Sequence, residues 1–267
     1  MECLHGLANV NIELTSRCNK NCWMCGRRKV DRGEYPDLQI NYGDMDFDLV
    51  KHIANQLPPN IVVQFHKDGE ALLYPNFGKA VSLFKKQIKN VVSNGKLIIK
   101  KADEIIGNLD TLSISIFEGD TEADAQYDLI VKFFKIKKDK KPFTTLRLVG
   151  DVDSSRYEQL NALIIRRILH HPMGSFKYRK KNPTIPEIGV CLDFLRHMCI
   201  SREGKVSICV RFDPSGLGVI GDAKETTLAN IWNSKKRLEW LEYHRMGKRD
   251  MIGLCRNCEY WGVPTGI

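Results

Sequence analysis

The 267-residue sequence predicts an α/β fold that ends in a small module of a different kind. Three observations lead there. Strand-like and helix-like patterns alternate about six times over the first 180 residues. A basic, proline-bearing stretch at 180–186 breaks the alternation, and beyond it residues 191–267 hold five cysteines, several glycines and one clear helical pattern at 228–244. Alternation with crossover helices requires a mostly parallel sheet covered by helices, either open or curled into a barrel. The expected division is a core over 1–180 and an appended domain over 181–267, too small for a large core and held by a metal centre.

The elements follow in order. Over 7–14, Val10, Ile12 and Leu14 alternate with Asn9, Asn11 and Glu13, which is the period of a strand. A cysteine-bearing loop comes next. Residues 47–57 read as a helix stopped by Pro58 and Pro59, and 61–65 as a short buried strand. The pattern continues with a helix at 77–88, a brief strand at 91–92 ending at Asn94-Gly95, a helix at 99–106 and a strand at 112–116. It closes with a helix at 122–138, a strand at 144–149, a helix at 157–170 and a strand at 175–178.

Bulk properties narrow the class. Apolar content of 43% and charged content of 27% are those of a chain that buries a real core and is not disordered. The first ten residues lack the basic start and apolar run of a signal peptide, and no stretch reaches membrane-spanning length, so a cytoplasmic protein with no membrane partner is expected. In that compartment nine cysteines stay reduced, and their clustering points to metal rather than disulfides. The net charge of +9 raises encounter with nucleic acid, anionic substrates and acidic proteins alike. Six lysines of 132–141 and the group Lys177, Arg179, Lys180 and Lys181 carry most of it, and both read as solvated surface.

Cys18-x3-Cys22-x2-Cys25 puts three thiols within eight residues on the loop after the first strand. Zinc ordinarily takes four closed ligands, and no fourth Cys or His lies nearby in sequence; three cysteines suit a [4Fe-4S] cluster with one iron left free. This motif in this place resembles the defining loop of the radical S-adenosylmethionine (SAM) superfamily. The resemblance implies a partial (β/α)6 TIM-like barrel. It also implies that the free iron binds the amino and carboxylate groups of SAM, and that reduction yields a 5'-deoxyadenosyl radical. Further stretches match in order. Asp68-Gly69-Glu70-Ala71 resembles the loop that holds the SAM amino group, with Asp68 in place of a usual glycine and Ala71 of a usual proline; Gly69 would permit close backbone approach and Glu70 would accept a hydrogen bond. By the same resemblance Asn94 lies near the SAM ribose and carboxylate, Ser115 contacts the ribose and Arg147 reaches the carboxylate. Met24 takes the place of a residue that packs by the adenine, with Trp23 one position earlier as the alternative.

Cys191-x12-Gly204-x4-Cys209 and Cys255-x2-Cys258 supply four more thiols, enough for a closed zinc site or a second [4Fe-4S] cluster. The first element resembles the opening of the SPASM and twitch auxiliary-cluster domains, in which the glycine turns a hairpin between ligand strands. The shorter twitch module, with one auxiliary cluster, fits the number of cysteines. Cys3 and Cys199 are left over and read as inert thiols; Cys199 would serve as a hydrogen-atom donor only if it faced a substrate.

The resemblance implies an enzyme that takes a hydrogen atom from a substrate and passes an electron to the auxiliary cluster, a net oxidation. A small alcohol, sugar or aminocyclitol is the expected substrate, since 17 residues ahead of Cys18 leave no room for a peptide-recognition domain. Crosslinking, oxidation or epimerisation of a ribosomal peptide or protein is the alternative. A flavodoxin- or ferredoxin-type electron donor is implied. The catalytic base is not identified, although His66, Lys67 and Arg147 fall near strand ends. A nucleic-acid-binding module with two zinc sites is the non-enzyme reading, and it leaves the three-ligand first site unexplained.

Overall fold

Strand β1 (Asn9–Ile12) sends Val10 and Ile12 into the core, where they are fully buried with Val50 and Ile53 of helix α2 (Phe47–Gln56). The same alternation repeats along the chain. The computed structural model, which describes residues 3–167, 190–256 and 258, contains strands β2 (Val62–Phe65), β3 (Ile88–Ser93), β4 (Thr111–Phe117), β5 (Phe143–Val149) and β6 (Leu163–Arg167). These pair in parallel with β1 in chain order. Helices α1 (Gly26–Asp31), α2, α3 (Phe77–Ser82), α4 (Ala102–Ile105), α5 (Ala123–Lys137) and α6 (Ser155–Glu158) lie in the connections.

The two faces of this sheet differ in chemistry. Val63, Phe65, Val91, Leu112, Ile114, Leu146 and Leu148 point to the helix side and are fully buried. The other face is polar and bridged from strand to strand. Asn11 Nδ2 donates to Gln64 Oε1 at 3.0 Å, Asn90 Nδ2 to Thr111 Oγ1 at 2.6 Å, and Thr145 Oγ1 to Ser113 Oγ at 2.9 Å. A purely structural parallel sheet would be apolar on both faces. The polar face therefore marks the side available to a ligand.

The C-terminal segment extends the same sheet. After α7 (Leu192–Arg196), strand β7 (His197–Ile200) pairs in parallel with β1, Asn9 facing His197 and Ile12 facing Ile200. Strands β8 (Lys205–Ser207) and β9 (Val219–Asp222) then add antiparallel edges, for nine strands in all among the described residues. Gly204, with φ of +92°, makes the tight turn expected between β7 and β8. Helices α8 (Leu228–Trp232) and α9 (Lys235–Arg245) complete the segment.

Several expected elements change. The helix expected at 157–170 is the end of short α6 followed by β6, because Leu163, Ile164 and Ile165 pair with β5. The sixth strand thus comes earlier than 175–178, which lies outside the described residues, as do the 177–181 basic group and the 180–186 stretch. The helix expected at 77–88 ends at Ser82, and Ile88 already opens β3. The helix expected at 228–244 is two, since Ser234 Oγ accepts from Arg237 N and caps a new start.

Phe65 is fully buried on β2 and packs edge-on to Phe84 with ring centroids 5.3 Å apart. Phe65→Ala is expected to lower stability by about 3–5 kcal/mol through the cavity it leaves, measured by urea unfolding followed by circular dichroism.

Candidate functional site

Cys18, Cys22 and Cys25 lie on the loop beyond the carboxyl end of β1. Cys25 opens α1: its carbonyl accepts from Arg28 N at 3.0 Å, and its own N–H donates to Cys22 O at 3.2 Å. The Arg28 guanidinium folds back to the carbonyls of Cys18 (3.1 Å) and Lys20 (2.8 Å), closing the loop around its thiols. Burial pushes the Cys22 thiol up to about 12, and its neighbours Cys25 and Cys18 act in the same direction. Thiolates this close together repel one another unless a cation lies among them, so the donor set fits iron.

Other strand ends hold this loop in place. A Cβ added to Gly69 would overlap the Thr15 carbonyl oxygen and stand 3.0 Å from Arg17 O, so the 68–70 backbone lies directly against the cluster loop. Glu70 N donates to Arg17 O at 2.8 Å. The Glu70 side chain, 2% exposed, accepts from Asn94 N at 2.7 Å, Ser93 Oγ at 3.0 Å and Leu72 N at 3.2 Å. It thereby ties the end of β3 to the loop, even though burial raises its pKa above the ordinary carboxylate value. Asn94 Nδ2 in turn donates to Asn19 Oδ1 at 2.9 Å and lies 3.8 Å from Cys18 Sγ. Gln126 of α5 braces the same corner, donating to the carbonyls of Asn94 (2.7 Å) and Ser115 (2.9 Å). On the far side Lys20, buried inside the cysteine motif, pairs with buried Asp120 at 2.6 Å. Sequence reasoning missed Lys20, Asp120 and Gln126, because no spacing rule links residues so far apart.

The remaining sequence candidates lie around this frame. Met24 is buried against Phe117 and Val149 at the ends of β4 and β5, while Trp23 is exposed and donates from Nε1 to Glu118 O at 2.7 Å. Ser115 is buried on β4 directly opposite Arg147 on β5. Among the described residues the buried Arg147 Nε has no hydrogen-bond partner, and burial together with Arg167 pulls its pKa down to about 10, which still leaves it a cation at neutral pH. Burial, with help from Arg147 and Lys67, pulls His66 down to about 3 and keeps its imidazole neutral.

The second cysteine set converges as well. Cys191, Cys209, Cys255 and Cys258 line one small cavity together with Phe194, Ile208 and Leu254. Burial pushes the Cys209 thiol up to about 12, and Cys255 is raised first by burial and then by Cys209, Cys258 and Cys191. This is again a set of thiols that asks for a cation. Arg249 Nη1 donates to the carbonyls of Cys255 (3.0 Å) and Cys258 (2.7 Å) and shapes their turn. Among the described residues, no three Cys, His, Asp or Glu side chains converge on a single-ion site.

A larger cavity, about 390 Å³, is lined by Glu13, Lys67 and Asp68 together with Ser207, Cys209 and Phe212. Phe212 also touches the first site, since a Cβ on Gly26 would stand 2.6 Å from its ring. Cys199 is 1% exposed on β7, which removes it from any substrate surface and agrees with an inert thiol.

Comparison with known proteins accords with this arrangement. Residues 191–259 match SPASM, described as an iron-sulfur cluster-binding domain. The chain is 24% identical over 96% of its length, and 94% of the relative's, to an S-adenosyl-L-methionine-dependent 2-deoxy-scyllo-inosamine dehydrogenase of Niallia circulans. The resemblance read from the cysteine spacing therefore holds as a likeness: the chain is similar over nearly its whole length to a SAM-dependent dehydrogenase, and 191–259 matches an iron-sulfur cluster-binding domain. Its fold is shared with BtrN, solved in complex with AdoMet and 2-DOIA, at TM-score 0.61, 17% identity and coverage of 94% of this chain and 92% of that one. It is also shared with Streptococcus suis SuiB bound to S-adenosylmethionine, at TM-score 0.65, 15% identity and coverage of 95% and 72%. No helix among the described residues is long and apolar enough to cross a membrane.

Because Gly69 touches the cluster loop without room for a side chain, Gly69→Ala is expected to displace Cys18 to Cys25. Reconstituted iron should fall from about eight to about four per chain, counted colorimetrically, with the second set still loaded.

Proposed function

We propose that the chain is a radical SAM dehydrogenase. It cleaves SAM reductively to a 5'-deoxyadenosyl radical, abstracts a substrate hydrogen atom and oxidises a small alcohol, sugar or aminocyclitol, with an auxiliary [4Fe-4S] cluster as electron acceptor. The observation that carries this reading is one cavity that borders both cysteine sets, since Cys209 of the second set lines it and so does Phe212, which touches Gly26 beside Cys25 of the first. The similarity to a SAM-dependent dehydrogenase along nearly the whole chain supports the substrate class.

In this reading Cys18, Cys22 and Cys25 hold a [4Fe-4S] cluster with one open iron, and Cys191, Cys209, Cys255 and Cys258 hold a second, fully ligated one. When bound, the two clusters and SAM supply the radical and the electron acceptor. The protein supplies position. Gly69 lets the strand-end backbone approach the SAM site, and Glu70 fixes Asn94 there through its backbone N–H. Ser115 and the Arg147 cation face the same polar side of the sheet and suit the ribose and carboxylate, while Met24 gives an apolar wall for the adenine. The six parallel strands act as a partial (β/α)6 barrel, with 1–180 as the radical SAM core and 181–267 as a twitch domain. Electrons for the first cluster come from a flavodoxin- or ferredoxin-type donor.

Anaerobic reconstitution is expected to give about eight irons per chain. Reduction in the presence of SAM should then yield 5'-deoxyadenosine, which disappears in Cys22→Ala. Cys258→Ala is expected to keep about four irons and to cleave SAM, yet to form no ketone from a cyclitol substrate, with products read by mass spectrometry. Stoichiometric zinc and no SAM cleavage would overturn the proposal.

A further inference from the structure

The wall of the 390 Å³ cavity contains a charged pair that the cluster framework leaves unused. Lys67 and Asp68 follow β2, and their side chains form a direct ion pair, Nζ to Oδ2, while remaining only 12% and 18% exposed. Burial acts against the Lys67 ammonium, but the carboxylates of Asp68 and Glu13 hold it protonated above its ordinary range. Its remaining N–H donors and the Asp68 Oδ1 acceptor have no hydrogen-bond partner among the described residues. Asp68 is also the position where the superfamily loop usually has glycine, so this carboxylate is an addition of this chain rather than part of the cluster scaffold.

A half-buried ion pair with open donors and an open acceptor is costly without a ligand that completes it. A hydroxyl group does so, because it donates to a carboxylate and accepts from an ammonium at the same time. Phe212 lines the same cavity and offers an apolar ring against which the C–H face of a small ring can lie. The cavity volume is at the lower end for ligand sites and suits one ring rather than an extended chain.

We propose that Lys67 and Asp68 are substrate-recognition residues that bind adjacent hydroxyl groups of a single-ring polyol, seated in the cavity against Phe212. The inference rests on the dehydrogenase reading above and adds the residues that select its substrate. Glu13, which lines the same cavity and accepts from Arg202 N at 3.1 Å, helps to hold the charge of Lys67.

The test uses the reconstituted holoenzyme with SAM, left unreduced so that nothing turns over, and titrates 2-deoxy-scyllo-inosamine by calorimetry. Asp68→Asn and Asp68→Gly are expected to weaken binding 10- to 100-fold, with partial recovery in Asp68→Glu, and iron content and SAM cleavage are measured on the same samples. Cyclohexylamine, which has no hydroxyl groups, should bind at least tenfold more weakly than the cyclitol and equally to all variants. Unchanged affinity in both variants would overturn the assignment, as would loss of iron or of SAM cleavage, which would make Asp68 a structural residue. A wild-type protein that cleaves SAM but binds neither this cyclitol nor monosaccharides, or that binds a peptide instead, overturns this inference and leaves the radical SAM assignment standing. Failure to cleave SAM at all removes that assignment, and this inference with it.

Discussion

Strand β1 is hydrogen-bonded on both sides, to β2 and to β7, and the rest of the site depends on that double pairing. Buried backbone groups must find partners, and without β7 the Asn9 to Ile12 backbone would be an open sheet edge beside the cluster loop. The pairing continues past the strand ends, with Glu13 N donating to Ile200 O at 3.0 Å and Ala8 N to Arg196 O at 2.8 Å. Since the three-cysteine loop leaves β1 and the Gly204 hairpin leaves β7, the two cysteine-bearing segments are held on neighbouring strands. Their separation is thus a property of one continuous sheet rather than of a flexible joint.

On this sheet, stability and function are divided between faces. The helix side is filled by Val, Ile, Leu and Phe side chains and carries the burial that stabilises the fold. The opposite side holds Asn11, Gln64, Asn90, Ser113, Thr145 and Arg147, and the carboxyl ends of the strands add the buried groups Lys20, Asp120, Glu70, Lys67 and Asp68. Buried charges contribute little to stability compared with apolar residues of the same size. Concentrated around two sets of thiols, they are placed for recognition and positioning instead.

The strands were largely legible because period-two alternation survives wherever one face is apolar and the other polar. Residues 7–14 and 61–65 contain β1 and β2, and 112–116 and 144–149 fall within β4 and β5. Helices were less legible. The ranges 77–88 and 99–106 contain α3 and α4 but overrun them, since helices of so few turns show no clear 3.6-residue period, and α1 is hidden by its own basic composition. The 163–165 run of Leu, Ile and Ile fits a helix face or a buried strand equally well, and only pairing with β5 made it a strand.

The grouping of seven cysteines into two sets is legible from sequence, because ligand chemistry imposes short spacings that chance rarely produces. Gly69 and Glu70 likewise stand in one local stretch of sequence. Tertiary structure decided what those residues touch. It turned Glu70 inward to hold Asn94, buried Cys199, joined Lys20 to Asp120 across 100 residues, and set Lys67 and Asp68 against Phe212 around one cavity. Spacing along a chain records only neighbours within a few residues, whereas the charges and cavities of this site arise from strands that meet after the chain has crossed the sheet and returned beside β1.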